Sequence, residues 1–346
     1  MHCRIPLTVC AVALLGFAAS SFADEKPILL DCTGPNGATA DSVKAAQLAW
    51  ATFLKLPKEM DIRLADGVTM TFVLVPPGRF MMGASDGEKN DNTALANELP
   101  RHEVEITQPM YVSKYATTKK QFASFVAAGG YTTEAENAKY GFGLNIEKGK
   151  WEKGPYTWKK TSLPQEDDHP AVMVTWNDAQ KFCSWLKANA GLPPGTKRVR
   201  LLREAEWEYS CRAGTRTRHY AGDKLEDLAM IANVYDASGK SKFKMPWTPI
   251  SADDGYAFKA PVGKFKANAL GLHDMLGNVW QWCQDRKRKY TSEKQVDPDG
   301  GNDIEVRAFR GGSFDEDPHF IRAAIRGSWG TDYRNFSLGF RAVLAR

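Results

Sequence analysis

The chain has 346 residues, of which 25% are charged and 43% hydrophobic, proportions that are ordinary for a folded soluble protein. The formal net charge is only +5, and basic and acidic residues are interleaved along the whole chain. The densest basic run, residues 286–289, is therefore expected to be a solvated surface loop, and no nucleic-acid partner is expected.

The first 23 residues have the pattern of a cleavable export signal. Arg4 supplies a positive charge, and the apolar stretch from Leu7 to Ala19 is too short to remain as a membrane span. Small residues at the two positions that signal peptidase recognises predict cleavage before Asp24. No later segment reaches 18 consecutive apolar residues. The mature protein is therefore expected to be periplasmic or secreted, without stable membrane insertion.

Four cysteines remain after this cleavage. An even number of cysteines in an oxidising compartment predicts one or two disulfides, and the sequence does not choose among the three full pairings. No two of them lie within ten residues of each other, so a structural zinc site is not expected. The four are Cys32, Cys183, Cys211 and Cys283.

Residues 24–66 are predicted to form an N-terminal extension with one helix. Asp41 and Ser42 can cap this helix, and apolar residues recur at helical spacing from Ala45 to Leu54. We expect the helix to pack as an addition on a main domain.

The pattern changes after residue 66, where short strands and helices follow one another. Alternating polar and apolar residues predict strands at 70–75, 102–106 and 110–112, the first ending in a Pro-Pro-Gly turn. Amphipathic spacing predicts three helices, which begin after Thr118, at Asn177 and at Arg203.

Long stretches rich in Gly, Lys, Trp and Asp separate these elements, at 83–98, 136–168 and 236–263. Loops of this length are uncommon in compact domains unless they are functional or braced by a metal. The sequence therefore predicts one α+β domain, residues 67–346, with little regular secondary structure.

Six segments of this domain form an ordered series: 75–83 (VPPGRFMMG), 170–179 (PAVMVTWNDA), 200–215 (RLLREAEWEYSCRAGT), 271–282 (GLHDMLGNVWQW), 310–313 (RGGS) and 338–341 (LGFR). The series resembles the formylglycine-generating enzyme, or sulfatase-modifying factor, family from about Met70 to the C-terminus. The resemblance implies a single compact domain of the C-type-lectin-like kind.

The resemblance also implies an oxidase that binds copper(I) through two cysteines after Gly-Gly-Ser. A soft metal needs soft thiolate ligands. In this chain Glu316 and Ile321 occupy the two positions, and no cysteine follows Cys283. Copper(I) dithiolate chemistry is therefore excluded for this polypeptide.

A dense polar group takes the place of the thiols: Asp315, Glu316, Asp317 and His319. In the functional interpretation Glu316 is a general base or a ligand for a hard metal, His319 is its partner, and Ser313 orients a bound group. Iron or another redox metal, bound with residues distant in sequence, belongs to this interpretation. The alternative is a solvated acidic loop without catalytic function.

Calcium in two loops is a further implication of the resemblance, because hard cations bind several oxygen ligands at once. The first loop supplies Asn233, the Val234 carbonyl, Asp254 and the Tyr256 carbonyl.

The second loop supplies Asp274, Gly277, Val279 and Gln281. The family pattern has Asn at the first of these positions and Glu at the last, so the negative charge moves to the other end here. A retained ion would tolerate this swap. The alternative is that Gln281 hydrogen-bonds the loop directly, with no ion.

Three functions remain open on the sequence. The first is an exported non-copper oxidoreductase or maturation factor that acts on a peptide or protein client, with Glu316 in place of the thiol and the insertion 139–165 as one wall of a peptide groove. The second is a non-catalytic protein- or ligand-binding module on the same scaffold, since folds outlive their reactions. The third is a carbohydrate-binding protein that uses calcium as a bridge.

Overall fold

The structure is a computed structural model that describes residues 25–301 and 305–346. The predicted signal peptide, residues 1–23, lies outside the described residues. The helices are α1 (Ala40–Leu54), α2 (Asp86–Asn90), α3 (Lys119–Gly129), α4 (Glu134–Ala138), α5 (Trp176–Asn189), α6 (Glu204–Arg212) and α7 (Ala237–Lys242). Short 3-10 turns occur at Ala96–Glu98, Leu225–Met230 and Pro318–Phe320.

The strands are short and distributed along the chain. They are β1 (Leu30–Cys32), β2 (Glu59–Ala65), β3 (Val68–Val75), β4 (Gly78–Met82), β5 (His102–Ile106), β6 (Met110–Ser113), β7 (Gly141–Asn145), β8 (Lys150–Gly154), β9 (Arg198–Leu201), β10 (Trp280–Arg286), β11 (Gln295–Val296), β12 (Val306–Arg310), β13 (Gly327–Gly330), β14 (Leu338–Phe340) and β15 (Ala342–Ala345).

Three sheets organise the described residues, together with the β7–β8 hairpin. The five-stranded sheet has the order β2-β3-β6-β15-β9 and is antiparallel throughout, with the C-terminal strand between β6 and β9. The second sheet has the order β13-β12-β10-β14, and its strand β12 ends directly before the Gly-Gly-Ser segment. The third, β1-β4-β5-β11, contains the strand after the Pro-Pro-Gly turn. This mixed architecture confirms the predicted α+β class.

Side-chain caps explain where two of the predicted helices begin. Thr118 accepts a hydrogen bond from the Gln121 amide and starts α3, and Thr175 accepts one from the Asp178 amide and starts α5. In return, the side chains of Gln121 and Asp178 accept hydrogen bonds from the backbone N–H groups of Thr118 and Thr175. These bonds satisfy backbone groups that a helix end leaves unpaired. The cap of α1 is Thr39 rather than the predicted Asp41 or Ser42.

The segment before the main domain contributes strands as well as the predicted helix. Within residues 25–66, β1 pairs with β4 and β2 pairs with β3 along its length. The segment 136–168 is not a plain loop, because it contains the antiparallel β7–β8 hairpin. Among the described residues, no helix combines the length and apolarity that crossing a membrane requires.

The four cysteines are free, buried thiols, so the predicted disulfides do not occur in the structure. Cys183 lies on α5 in one hydrophobic cluster, whereas the other three belong to a second cluster. Each belongs to a buried apolar cluster, and burial raises the pKa of Cys183 and Cys211 to about 12. These thiols therefore behave as small core residues.

Buried ion pairs join the segment 83–98 to the chain that follows the Gly-Gly-Ser motif. Arg322 donates to Glu88 at 2.8 Å and to both carboxylate oxygens of Glu98 at 2.9 Å. Arg326 binds Glu204 on α6 through two nitrogens, at 2.6 and 2.7 Å. Buried charges of this kind are tolerated because each finds an opposite charge and hydrogen bonds.

Candidate functional site

Two glycines bring the polar segment Ser313–His319 back against the core after β12. Gly311 and Gly312 have φ angles of 107° and 75°, a region that favours glycine. A Cβ atom on Gly312 would lie 2.4 Å from Cδ1 of Ile321. Ile321, which occupies the second cysteine position, is thus buried and packs against this turn.

Asp315 is the centre of a hydrogen-bonded cluster. It is fully buried, and its carboxylate accepts bonds from the Ser313 hydroxyl at 2.8 Å and the Trp151 indole at 3.1 Å. The Trp247 indole donates to the Asp315 backbone carbonyl at 2.9 Å. Burial raises the pKa of Asp315, which the bonds from Ser313 and Ser337 oppose. Trp151 lies on β8, so the predicted insertion contacts the candidate site.

Glu316 lies beside this cluster and is only partly buried. Its Oε1 atom accepts a hydrogen bond from the indole Nε1 of Trp280 at 3.1 Å. Loss of hydration raises the pKa of Glu316 to about 7, and repulsion from Asp315 and Asp317 adds to the rise. A carboxyl group with this pKa exchanges a proton near neutral pH, as a general acid or base must.

His319 does not contact Glu316 as the functional interpretation supposed. Its Nδ1 atom is 3.0 Å from Oδ1 of Asp317, and the imidazole is 51% exposed. The 3-10 turn Pro318–Phe320 holds this pair at the surface. The structure therefore brings Ser313, Asp315 and Glu316 together and leaves His319 with a different partner.

Lys259 is a site residue that the sequence interpretation missed. Its side chain is buried, and its Nζ atom has no hydrogen-bond partner among the described residues. The ammonium lies 5.9 Å from the ring centre of Phe314. Burial lowers the pKa of Lys259 to about 7, against the attraction of Asp315. The sequence indicated its burial only by the apolar neighbours Phe258 and Ala260, which are unusual for an exposed lysine.

The side chains at the Gly-Gly-Ser segment do not fit a resident redox metal. Asp315 already accepts bonds from Ser313 and Trp151, and His319 is paired with Asp317. Over residues 25–301 and 305–346, no group of three or more His, Cys, Asp or Glu side chains is arranged to hold a metal ion. These side chains therefore do not support a catalytic role for iron or another redox metal at this segment.

The first predicted calcium loop keeps an unused ligand atom. The Oδ1 atom of Asn233 is buried and has no partner among the described residues, while its Nδ2 donates to the Phe258 carbonyl at 2.7 Å. Asp254 accepts from the backbone amides of Val234 and Tyr256, both at 2.8 Å. Burial, followed by repulsion from a neighbouring aspartate, raises the pKa of Asp254 to about 7. The free amide oxygen of Asn233 and the carboxylate of Asp254, whose ionised form a nearby positive charge would stabilise, are ligands of the kind that calcium binds.

In the second predicted calcium loop Gln281 is bonded to protein groups, whereas the Oδ1 atom of Asp274 is buried without a hydrogen-bond partner among the described residues. The Oε1 atom of Gln281 accepts from the Trp207 indole and from Nε of Arg341, both at 2.9 Å. Because both donors lack acceptor atoms, the amide orientation is determined, and its Nε2 donates to the Asp274 carbonyl at 2.7 Å. An NH₂ group cannot bind a cation. The geometry therefore favours direct hydrogen bonding by Gln281 over a role of Gln281 as a calcium ligand.

The other two residues of this loop have structural contacts. Gly277 donates its backbone N–H to the Gly311 carbonyl at 3.0 Å, and a Cβ atom there would lie 2.3 Å from the Asn233 carbonyl oxygen. Val279 is a buried core side chain. The loop therefore supports the turn that carries the candidate site.

Comparisons with known proteins agree with this architecture. A family model described as "Sulfatase-modifying factor enzyme 1-like domain" matches residues 63–346. A formylglycine-generating enzyme of Streptomyces coelicolor is 31% identical over 300 residues, covering 78% of this chain and 88% of the relative. The "Inactive C-alpha-formylglycine-generating enzyme 2" of Bos taurus is 27% identical over 324 residues, covering 84% and 94%.

Among solved structures, PvdO from Pseudomonas aeruginosa is 26% identical with a TM-score of 0.63, and the match covers 83% of this chain and 98% of that one. The predicted family and fold are therefore confirmed. The chain belongs to the sulfatase-modifying factor enzyme 1-like family.

Proposed function

We propose that this protein is an exported maturation factor that modifies a side chain of a peptide or protein client, with Glu316 as the group that accepts a proton from that side chain. The observation that carries the proposal is the position of Glu316. It follows the Gly-Gly-Ser turn, it is partly exposed, and its pKa is raised to about 7. A base with this pKa combines a useful ionised fraction with basicity at neutral pH.

The neighbouring residues support a role in positioning. The Trp280 indole holds Oε1 of Glu316, and Ser313 and Asp315 form a rigid bonded pair beside it. Trp151 is 46% exposed although its indole nitrogen is bonded to Asp315. Its ring is therefore available to contact a client, and the β7–β8 hairpin becomes one wall of a peptide groove. Glu316 supplies only the proton-accepting step. The covalent change that shifts the mass of the client needs a co-reactant in addition to these residues, which is an electron acceptor in the oxidoreductase form of the proposal.

We further propose that calcium braces the loop that contains Asn233 and Asp254. The side-chain oxygen of Asn233, the carboxylate of Asp254 and the carbonyls of Val234 and Tyr256 would hold the ion. The unpartnered oxygen of Asn233 supports this assignment. The ion would supply structural positive charge and no chemistry at Glu316.

A non-catalytic binding module is the second candidate. The specific observation in its favour is that the Asp315 carboxylate is already bonded to Ser313 and Trp151, as expected of a structural residue. Two relatives, from Bos taurus and Mus musculus, carry the word "inactive" in their names. In this case Trp151 and Glu316 would contact a partner without altering it.

The test compares three strains of the native host that carry the wild-type gene, a deletion and Glu316→Gln. Exported peptides are analysed by mass spectrometry, and the amount of each variant is measured in the same samples. We expect a peptide whose mass shift is present with wild type and missing from both the deletion and Glu316→Gln. A shift that persists with Glu316→Gln would remove Glu316 from the chemistry, and no shift in any strain would favour the binding module.

A further inference from the structure

A cavity of about 800 Å³ lies away from the Gly-Gly-Ser turn, and arginines from two parts of the chain line it. Arg101 approaches from the segment before β5, and Arg216 and Arg218 approach from the loop after α6. Three guanidinium groups at one cavity repel one another unless negative charge compensates them.

The carboxylates in the lining are already used by other groups. Glu88 accepts from Arg322 and from the Ser85 amide, Asp91 forms an ion pair with Arg218, and Asp223 accepts from the Arg218 backbone amide. Asp91 therefore compensates Arg218, and Glu88 and Asp223 accept hydrogen bonds from groups other than Arg101 and Arg216.

The other two arginines form no ion pair among the described residues, although Glu208 and Glu88 attract Arg101 from a greater distance. Arg216 donates to the backbone carbonyls of Thr33 and Gly34 at 2.8 and 2.7 Å, which are neutral acceptors. The Nε and Nη2 atoms of Arg101 are buried and have no hydrogen-bond partner among the described residues. Buried unsatisfied donors are rare in native proteins and call for an explanation such as a ligand.

The electrostatic surroundings of Arg101 agree with this geometry. Burial and then repulsion from Arg212 and Arg216 lower the pKa of Arg101 to about 10, against the attraction of Glu208 and Glu88. The guanidinium is still charged at neutral pH. A buried cation in this position is costly until an anion is placed beside it.

We propose that this cavity is a binding site for an oxyanion, the phosphate, sulfate or carboxylate group of a ligand, with Arg101 as the main contact and Arg216 as the second. The planar fork of a guanidinium matches two oxygens of such a group. The cavity is much larger than one inorganic anion, so the natural ligand carries further atoms. This site is separate from the proposed function of Glu316.

The experiment titrates the purified protein with inorganic phosphate, sulfate and acetate at constant ionic strength, and follows binding by calorimetry and the melting temperature. At least one anion is expected to bind saturably and raise the melting temperature of wild type, and the ranking of the three separates tetrahedral from carboxylate ligands. Arg101→Gln should lower the affinity of the protein for that anion at least tenfold. Arg63→Gln, an exposed arginine on β2, is the matched control and should leave the affinity unchanged.

A second result separates the site from unspecific charge effects. Without added anion, Arg101→Gln should melt above wild type, because it removes a desolvated cation that has no ion-pair partner and repels Arg212 and Arg216. With saturating anion the order should reverse. Should Arg101→Gln fail to fold, Arg216→Gln and the wild-type titration carry the test. Absence of saturable binding by any of the three anions, or equal binding by Arg101→Gln, would overturn the proposal.

Discussion

The indole nitrogen of Trp280 donates a hydrogen bond to Glu316 at 3.1 Å, although the same carboxyl group has a pKa raised to about 7. The bond favours the ionised form, whereas burial and the neighbouring Asp315 and Asp317 disfavour it more strongly. Trp280 therefore holds the carboxylate in place without restoring its ordinary acidity. A positioned carboxyl group that titrates near pH 7 gives testable consequences for stability as well as for activity.

Glu316→Gln should stabilise the protein at pH 8 and have little effect near pH 4.5. The folded state keeps the Glu316 proton up to a pKa of about 7, whereas the unfolded chain loses it near 4.5. Wild-type stability therefore falls as the pH rises through this window, and the amide removes the loss, which is on the order of 2 kcal/mol. Urea unfolding at several pH values measures the difference, and a pH-independent difference would contradict the assigned pKa.

Lys259→Met should also stabilise the protein, with the opposite pH dependence. The folded pKa of Lys259 is lowered to about 7, so the folded state loses a proton that the unfolded chain keeps until above pH 10. The gain from Met is therefore largest below pH 7 and diminishes as the pH rises towards 10. Methionine preserves the volume of the buried stem. Denaturant unfolding at pH 6 and pH 9 tests this, and a larger gain at pH 9 would contradict it.

Arg322→Leu should destabilise the protein by roughly 3–5 kcal/mol, because it leaves Glu88 and Glu98 buried without their common partner. The matched control is Arg63→Leu, whose ion pair with Asp66 is exposed and should contribute at most about 1 kcal/mol. Chemical denaturation of both variants gives the two values. Similar losses would show that burial of the Arg322 pairs does not determine their contribution.

Calcium should raise the melting temperature of wild type, and Asp254→Asn should remove this effect while Gln281→Met retains it. The reason is that Asn233 offers an unpartnered oxygen next to Asp254, whereas the oxygen of Gln281 is bonded to Trp207 and Arg341. Because the pKa of Asp254 is raised to about 7, the calcium effect should grow from pH 6 to pH 8. Thermal unfolding with calcium and with chelator measures it. Loss of the effect in Gln281→Met alone would assign the ion to the second loop.

Local sequence was sufficient for the elements whose signals are local. Thr118 predicted a helix start because a hydroxyl can cap only the amides two or three residues ahead, and apolar spacing predicted the helix from Asn177, which the structure begins one residue earlier, at Trp176. The ordered motifs predicted the fold, and Glu316 and Ile321 removed copper thiolate chemistry by their chemical identity. The β7–β8 hairpin was missed because glycine and lysine weaken the alternating pattern of its strands.

Only the tertiary structure decided which groups meet at the site. Trp151 donates to Asp315 from 164 positions away along the chain, and Asp315 attracts the charge of Lys259 from 56 positions away; no spacing rule relates such residues. The choice between calcium and a direct bond at Gln281 likewise depended on the donors Trp207 and Arg341. The sequence determined which functional groups are present, while burial and distance, which exist only in the folded chain, determined their charge and their partners.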